Sequence, residues 1–227
     1  MTILALETST PHASLAVFRG GEIIREWAFQ SDRAHNARLF EPLADALDLA
    51  NPDLLAVGTG PGSYSGIRVA IAAALGVALA RRLPLVGWPS LTAFDIPDDG
   101  FIIGDARRGG WFIAPVANAR LAAPPEIVTR EALVTRTAHS RLWTLDASPP
   151  LASAVPVVPT AAWLARRVAA LSETERTALA SVTPEPLYLR APFITTPATH
   201  CRLMRLPCLR ATETCVERCL PPFRAGR

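Results

Sequence analysis

The spacing of hydrophobic positions changes along the chain, and each change predicts an element. Thr2–Glu7 is an apolar run that ends on an acid, which reads as a buried strand. Residues 13–18 read as its hairpin partner and 22–29 as a third strand, with Gly20 and Gly21 supplying the tight turn. Three strands joined by short turns begin an antiparallel meander. The period then lengthens. Leu39, Leu43, Ala46, Leu47 and Ala50 recur at helical spacing, so a helix is predicted over 34–50. Pro52 closes it, and 53–57 is another strand. The loop 58–65 leads into a second helix over 66–82, stopped by Pro84. Residues 85–87 form a short strand, and Ser90 is placed to cap a short helix at 91–94.

Pro97-Asp98-Asp99-Gly100 is a polar break and marks the expected boundary between an N-terminal lobe (1–98) and a C-terminal lobe (99–197). Beyond it, 101–105 and 111–116 predict a hairpin around Arg107-Arg108-Gly109-Gly110. Helices are predicted at 129–135 and 160–171 and a strand at 142–145. Residues 183–197 carry Pro184, Pro186, Pro192 and Pro197, so this stretch is expected to be extended along the surface. The order β-β-β-α-β-α in each lobe points to a duplicated unit of α/β class.

Composition refines this picture in three ways. The chain of 227 residues is 50% hydrophobic, enough to build a real core. It contains no lysine, which excludes a P-loop lysine and a Schiff-base lysine. Charge is uneven. Residues 197–227 hold six arginines and two glutamates, whereas the rest holds 17 arginines and 18 acids. A near-neutral body is a poor electrostatic match for stand-alone nucleic-acid binding. All four cysteines (Cys201, Cys208, Cys215, Cys219) lie in that same tail. A cysteine-free body fits a reducing compartment, so a cytoplasmic location is expected. The tail, 198–227, is expected to be a disordered or non-native Arg/Cys-rich extension; a zinc knot lacks its usual Cys-x-x-Cys pair. The first residues carry no basic leader and do not read as a signal peptide. The longest apolar run, residues 69–80, is 12 residues between Arg68 and Arg81, short for a bilayer, so no membrane is expected.

The segment with most chemical information is Gly58-Thr-Gly60-Pro-Gly62-Ser63-Tyr-Ser-Gly66-Ile-Arg68, between a strand and a helix. Glycines there let the backbone approach a ligand, and the first helical N–H groups favour an anion. It is neither a Walker loop nor a dinucleotide fingerprint, and a tight turn holding nothing remains the alternative. In the helix that follows, Gly66, Ala70, Ala74 and Ala78 recur every four residues, a stripe that lets another helix come close, whether a partner's or one inside the lobe. The histidines are His12, His35, His139 and His200. No two lie within one helical turn, so a shared metal is not expected.

The string Gly60-Pro-Gly-Ser-Tyr-Ser-Gly-Ile-Arg68, with Leu4-Ala-Leu-Glu-Thr-Ser-Thr10, resembles the bacterial TsaB (YeaZ) family. Arg33-Ala-His35 with Leu39 and Pro42, Asp105-Ala-Arg-Arg108 and Pro186-Leu-Tyr-Leu-Arg190 extend the resemblance over residues 2–196. It implies a two-lobed actin/Hsp70/sugar-kinase-like (ribonuclease-H-like) fold. It also implies a non-catalytic scaffold and activator in the complex that forms N6-threonylcarbamoyladenosine in tRNAs reading codons that begin with adenine. The implied partners are the catalytic subunit TsaD as a heterodimer, and the ATPase TsaE and tRNA through the complex. A homodimer acting alone through the small-residue helix is the alternative to these partners. No cofactor, metal or catalytic residue of its own is expected. With the resemblance, the partner face is expected on the two helices through His35, Leu39, Leu43, Gly66, Ala70, Ala74 and Ala78. Nucleotide-binding relatives keep an acid and a small-residue turn where this chain has Glu7, Thr8 and Ser9. With Gly60, Gly62, Ser63 and the second-lobe acid Asp105, these are the candidates for a phosphate or nucleotide. Both acids could equally cap turns at strand ends. The alternatives in function are a nucleotide-binding regulator and a glycoprotease-like M22 peptidase homologue.

Overall fold

The computed structural model describes residues 1–30 and 35–190. Residues 2–30 form three antiparallel strands, β1 (Thr2–Glu7), β2 (His12–Arg19) and β3 (Glu22–Gln30). Then come α1 (His35–Leu49), β4 (Leu54–Gly58), α2 (Tyr64–Arg81) and β5 (Leu85–Trp88). The sheet order is β3-β2-β1-β4-β5, with β4 parallel to both β1 and β5. Alternation along the strands explains why β1 reads as a continuous apolar run. Leu4 and Leu6 face α1 and α2, while Ile3 and Ala5 face the opposite layer. A strand covered on both faces has no polar side.

A short 3₁₀ turn at Ser90–Thr92 replaces the helix expected at 91–94. Ser90 is not its cap. The Ser90 side chain is fully buried and its hydroxyl accepts a hydrogen bond from the Gly60 N–H at 3.0 Å.

The second sheet begins at β6 (Gly100–Asp105), pairs antiparallel with β7 (Trp111–Ala117), and continues through β8 (Arg120–Leu121), β9 (Glu126–Val128), β10 (Arg141–Thr144) and β11 (Val155–Pro156). Helix α3 (Arg130–Arg136), capped by the Thr129 hydroxyl, buries Leu133 against one face of this sheet. Residues Leu91, Phe94 and Ile96 fill the other. The sequence reading missed β8, β9 and β11. They are two or three residues long, too short for a two-residue period to show.

Helix α4 (Ala161–Ala169) follows the second sheet in sequence yet packs Ala161, Leu164, Ala165 and Val168 on the first. It is anchored there by the Ala161 N–H donating to Ser14 Oγ at 2.8 Å. The Arg167 guanidinium donates to the carbonyls of Thr92 and Phe94. Helix α5 (Glu173–Ala180), also unforeseen, starts with a capping box between Ser172 and Glu175. The expected tail 198–227, with all the cysteines, lies outside the described residues.

Candidate functional site

Two regions gather the residues that the sequence singles out. The first is a cleft of about 680 Å³ between the lobes, lined among others by Ser9, Gly62, Ser63, Asp105, Arg107 and Tyr188. Four of the seven phosphate candidates thus share one space. Glu7 does not reach it. Its carboxyl is fully buried, and Oε1 accepts the Ser9 N–H at 2.7 Å. The close approach that the glycines permit is made by the protein itself. A Cβ on Gly58 would collide with the Glu7 carboxyl, and one on Gly62 with the Ser9 backbone. Several loop amides are already taken: Thr59 N–H by Trp88 O at 2.9 Å, Gly60 N–H by Ser90 Oγ, and Ser63 N–H by Ser9 O at 2.7 Å. The Ser63 hydroxyl caps α2 by accepting from the Gly66 N–H. The loop is therefore a joint that ties β1, β5 and α2 together.

Burial pushes the Glu7 carboxyl above its ordinary 4.5, against hydrogen bonds from Ser9 and Ser90 that pull it down. The consequence for stability has a definite sign. Between pH 4.5 and the raised folded value, the unfolded chain has released a proton that the folded chain keeps. The folded state then binds more protons, so stability falls as pH rises through that window and is level beyond it. Glu7→Gln removes this loss while keeping an acceptor for the Ser9 N–H. The Tm difference between variant and parent, followed by calorimetry from pH 4 to 8, is expected to grow in the variant's favour. A difference constant with pH contradicts the assignment.

On the second lobe, Asp105 stands at the end of β6, where its Oδ1 accepts the Arg107 N–H at 2.7 Å and its Oδ2 pairs with the Arg107 guanidinium at 3.4 Å. The sequence reading missed its neighbour Asp146, whose Oδ2 accepts the Asp105 N–H at 2.7 Å. Asp146 lies just beyond β10, the parallel neighbour of β6. The signal was present: an acid directly after the strand predicted at 142–145, much as Asp105 ends the one predicted at 101–105. Desolvation and, less strongly, the Asp105 charge push the Asp146 carboxyl up.

The second region is the pair α1–α2. Leu39, Leu43, Ala70, Ala74 and Ala78 are all buried between these helices and the sheet, and Gly66 is buried at the start of α2. His35 opens α1, and its side chain lies outside the described ones. The four-residue stripe therefore packs inside the lobe. The face turned outward is the next one round, where Phe40, Val69, Ala72, Ala73, Gly76 and Val77 line a groove of about 490 Å³ that also reaches the buried Leu43. No charged or hydrogen-bonding side chain occurs on α2 between Arg68 and Arg81. Phe40 is 53% and Leu79 79% exposed. By length and composition alone α2 could cross a membrane: 18 residues at a mean hydropathy of 1.3, only 33% of them buried. The 12-residue run understated this, because the helix extends past it at both ends.

A family described as TsaD, tRNA N6-adenosine threonylcarbamoyltransferase, matches residues 30–94, the stretch that holds α1, β4, α2 and β5. The Escherichia coli tRNA threonylcarbamoyladenosine biosynthesis protein TsaB is 34% identical over 40% of this chain and 41% of its own length. The protein of the same name from Haemophilus influenzae is 41% identical over 41% of each. The chain is a relative of TsaB proteins. An uncharacterized Mycobacterium leprae protein is 31% identical over 84% of this chain and 55% of its own. The chain thus spans between two-fifths and just over half the length of these curated relatives. YeaZ from Pseudomonas aeruginosa superimposes with a TM-score of 0.64 at 24% identity, over 83% of this chain and 99% of that one. The fold observed, two sheets with α1 and α2 on the first, is that of the YeaZ structure, as the TsaB (YeaZ) resemblance leads one to expect.

Proposed function

We propose that this chain is a non-catalytic scaffold and activator in the formation of threonylcarbamoyladenosine on tRNA, docking a TsaD-type transferase against the outward face of α1 and α2 in the lobe 1–98. The single observation that carries the reading is that face: an exposed helical surface free of polar side chains from Val69 to Ala80, beside an exposed Phe40. Apolar surface of this kind marks an interaction site. The groove suits a partner helix, because Ala72, Ala73 and Gly76 let a backbone approach closely. A bilayer is a poorer occupant. The inner face of α2 is bound to a β-sheet, and the helix is flanked by the polar N-terminal loop.

The relatives' names supply the pathway, and the chain's chemistry supplies the division of labour. With no lysine and no histidine pair at helical spacing in its sequence, group transfer falls to the partner. A near-neutral body leaves tRNA to be held by the complex, with a TsaE-type ATPase joining there. A second copy of this chain covers the same face when the transferase is absent. Reconstitution tests the proposal. Purified chain alone is expected to modify no tRNA, and its addition to a TsaD-type transferase supplied with threonylcarbamoyl-adenylate is expected to raise the yield of modified adenosine at least tenfold. Turnover by the chain alone, or no effect on the transferase, contradicts it.

A further inference from the structure

We propose that residues 184–190 are a strap that latches the two lobes together across the cleft, and that its release loosens the loop leading into α2. Five of its residues are attached separately, and the attachments change lobe along the segment. Pro184 is buried, with its Cβ 2.9 Å from the place a Cβ on Gly87 would occupy, so it sits directly on β5. The Leu187 N–H donates to the Thr59 carbonyl at 2.8 Å. The Tyr188 ring lies 5.8 Å from that of Tyr64, the first residue of α2. Leu189 packs on the core of the second sheet with Leu91, Ile102 and Phe112, and the Arg190 guanidinium lies over Gly110 in the β6–β7 turn. Within six residues the chain leaves the first sheet, crosses the cleft mouth and joins the second.

Two features make this segment a latch and not a permanent wall. It belongs to no sheet or helix, and a single backbone hydrogen bond, from Leu187, joins it to the loop at Thr59. Segments with few backbone bonds and exposed side chains open at lower free energy than the cores they join. Tyr64 and Tyr188 are both exposed, at 56% and 42%, so their contact is open to solvent competition. Pro184 and Pro186 restrict the backbone, which lowers the entropy lost on closing. The strap's reach to α2 ends at its first turn and does not depend on what docks farther along that helix.

Amide hydrogen exchange of the full chain tests the latch, with Tyr188→Ala and Leu187→Pro as variants. Tyr188→Ala removes the ring contact and Leu187→Pro the hydrogen bond. Exchange in 59–64 and 104–110 is expected to accelerate at least tenfold in both, with the β2–β3 hairpin (12–30) unchanged. Should Leu187→Pro fail to fold, Tyr188→Ala decides alone. Unaltered exchange in 59–64 and 104–110, or an equal acceleration in 12–30, overturns the proposal, because the segment is then either uncoupled from the cleft or only a contributor to global stability.

Discussion

Ala74→Trp is expected to destabilise the isolated protein, not to spare its fold and block a partner. Ala74 is fully buried in the core between α2 and the first sheet, among Leu55, Val57, Ala70 and Ala78. An indole at that position has no free volume and must displace the helix from the sheet. Overpacking of this kind costs about 1–3 kcal/mol and more when relaxation is blocked. For a chain of this size each kcal/mol lowers Tm by roughly 2–4 °C. Differential scanning calorimetry of Ala74→Trp and of Ala70→Trp, also fully buried, is expected to show a fall of several degrees or failure to fold. An unchanged Tm in either would mean that α2 presents this stripe outward after all.

The opposite result is expected one face away. Gly76 lies on the exposed side of α2 with nothing within 4 Å of the position a Cβ would take. Glycine inside a helix is less favourable than alanine by about 0.5–1 kcal/mol, and tryptophan ranks between the two, so Gly76→Trp keeps or raises the monomer's Tm. The same indole fills the groove lined by Phe40, Val69 and Val77 and excludes a partner helix. Binding to a TsaD-type transferase is expected to weaken at least tenfold, about 1.4 kcal/mol. Isothermal titration reads this directly. A folded Gly76→Trp protein that binds as tightly as the parent moves the docking face off α2.

These two substitutions show how far the sequence could be read. Periodicity placed α2 to within two residues at its start, and it detected both an Ala/Gly stripe and apolar residues all around the helix. It could not say which face met the sheet. Between Arg68 and Arg81, where α2 carries no polar residue, no polar side points to solvent, so the angular signal that fixes orientation is absent. Small size at Ala70 and Ala74 is explained by close packing on β1 and β4, while the exposed face is recognised only once the sheet is in place. The loop 58–65 taught the same lesson. Its glycines announced a close approach, but spacing cannot tell a ligand from Glu7 and Ser9, which arrive from a strand some fifty residues earlier. In contrast, β1–β3, α1 and the hairpin at Arg107–Gly110 were legible because their patterns are local. Helix α4 was legible as a helix and not as a cover for the first sheet, since a return from the second sheet to the first leaves no local trace.

The second lobe marks the limit in another way. Asp105 was found because it ends a long strand within a recognisable segment, whereas its partner Asp146 follows a four-residue strand, β10, and only the parallel pairing of β10 with β6 brings the two carboxyls together. Tyr188 and Arg190 were visible as part of a family-like ending, with no hint that they wall the cleft.

The central claim is that the outward face of α1 and α2 binds a TsaD-type transferase. Sedimentation velocity of an equimolar mixture of this chain and such a transferase tests it most directly. The account predicts a single faster species at the mass of a one-to-one complex, absent from the same mixture made with Gly76→Trp. Two independent boundaries at the masses of the separate proteins, with the unmodified chain at micromolar concentration, would contradict it.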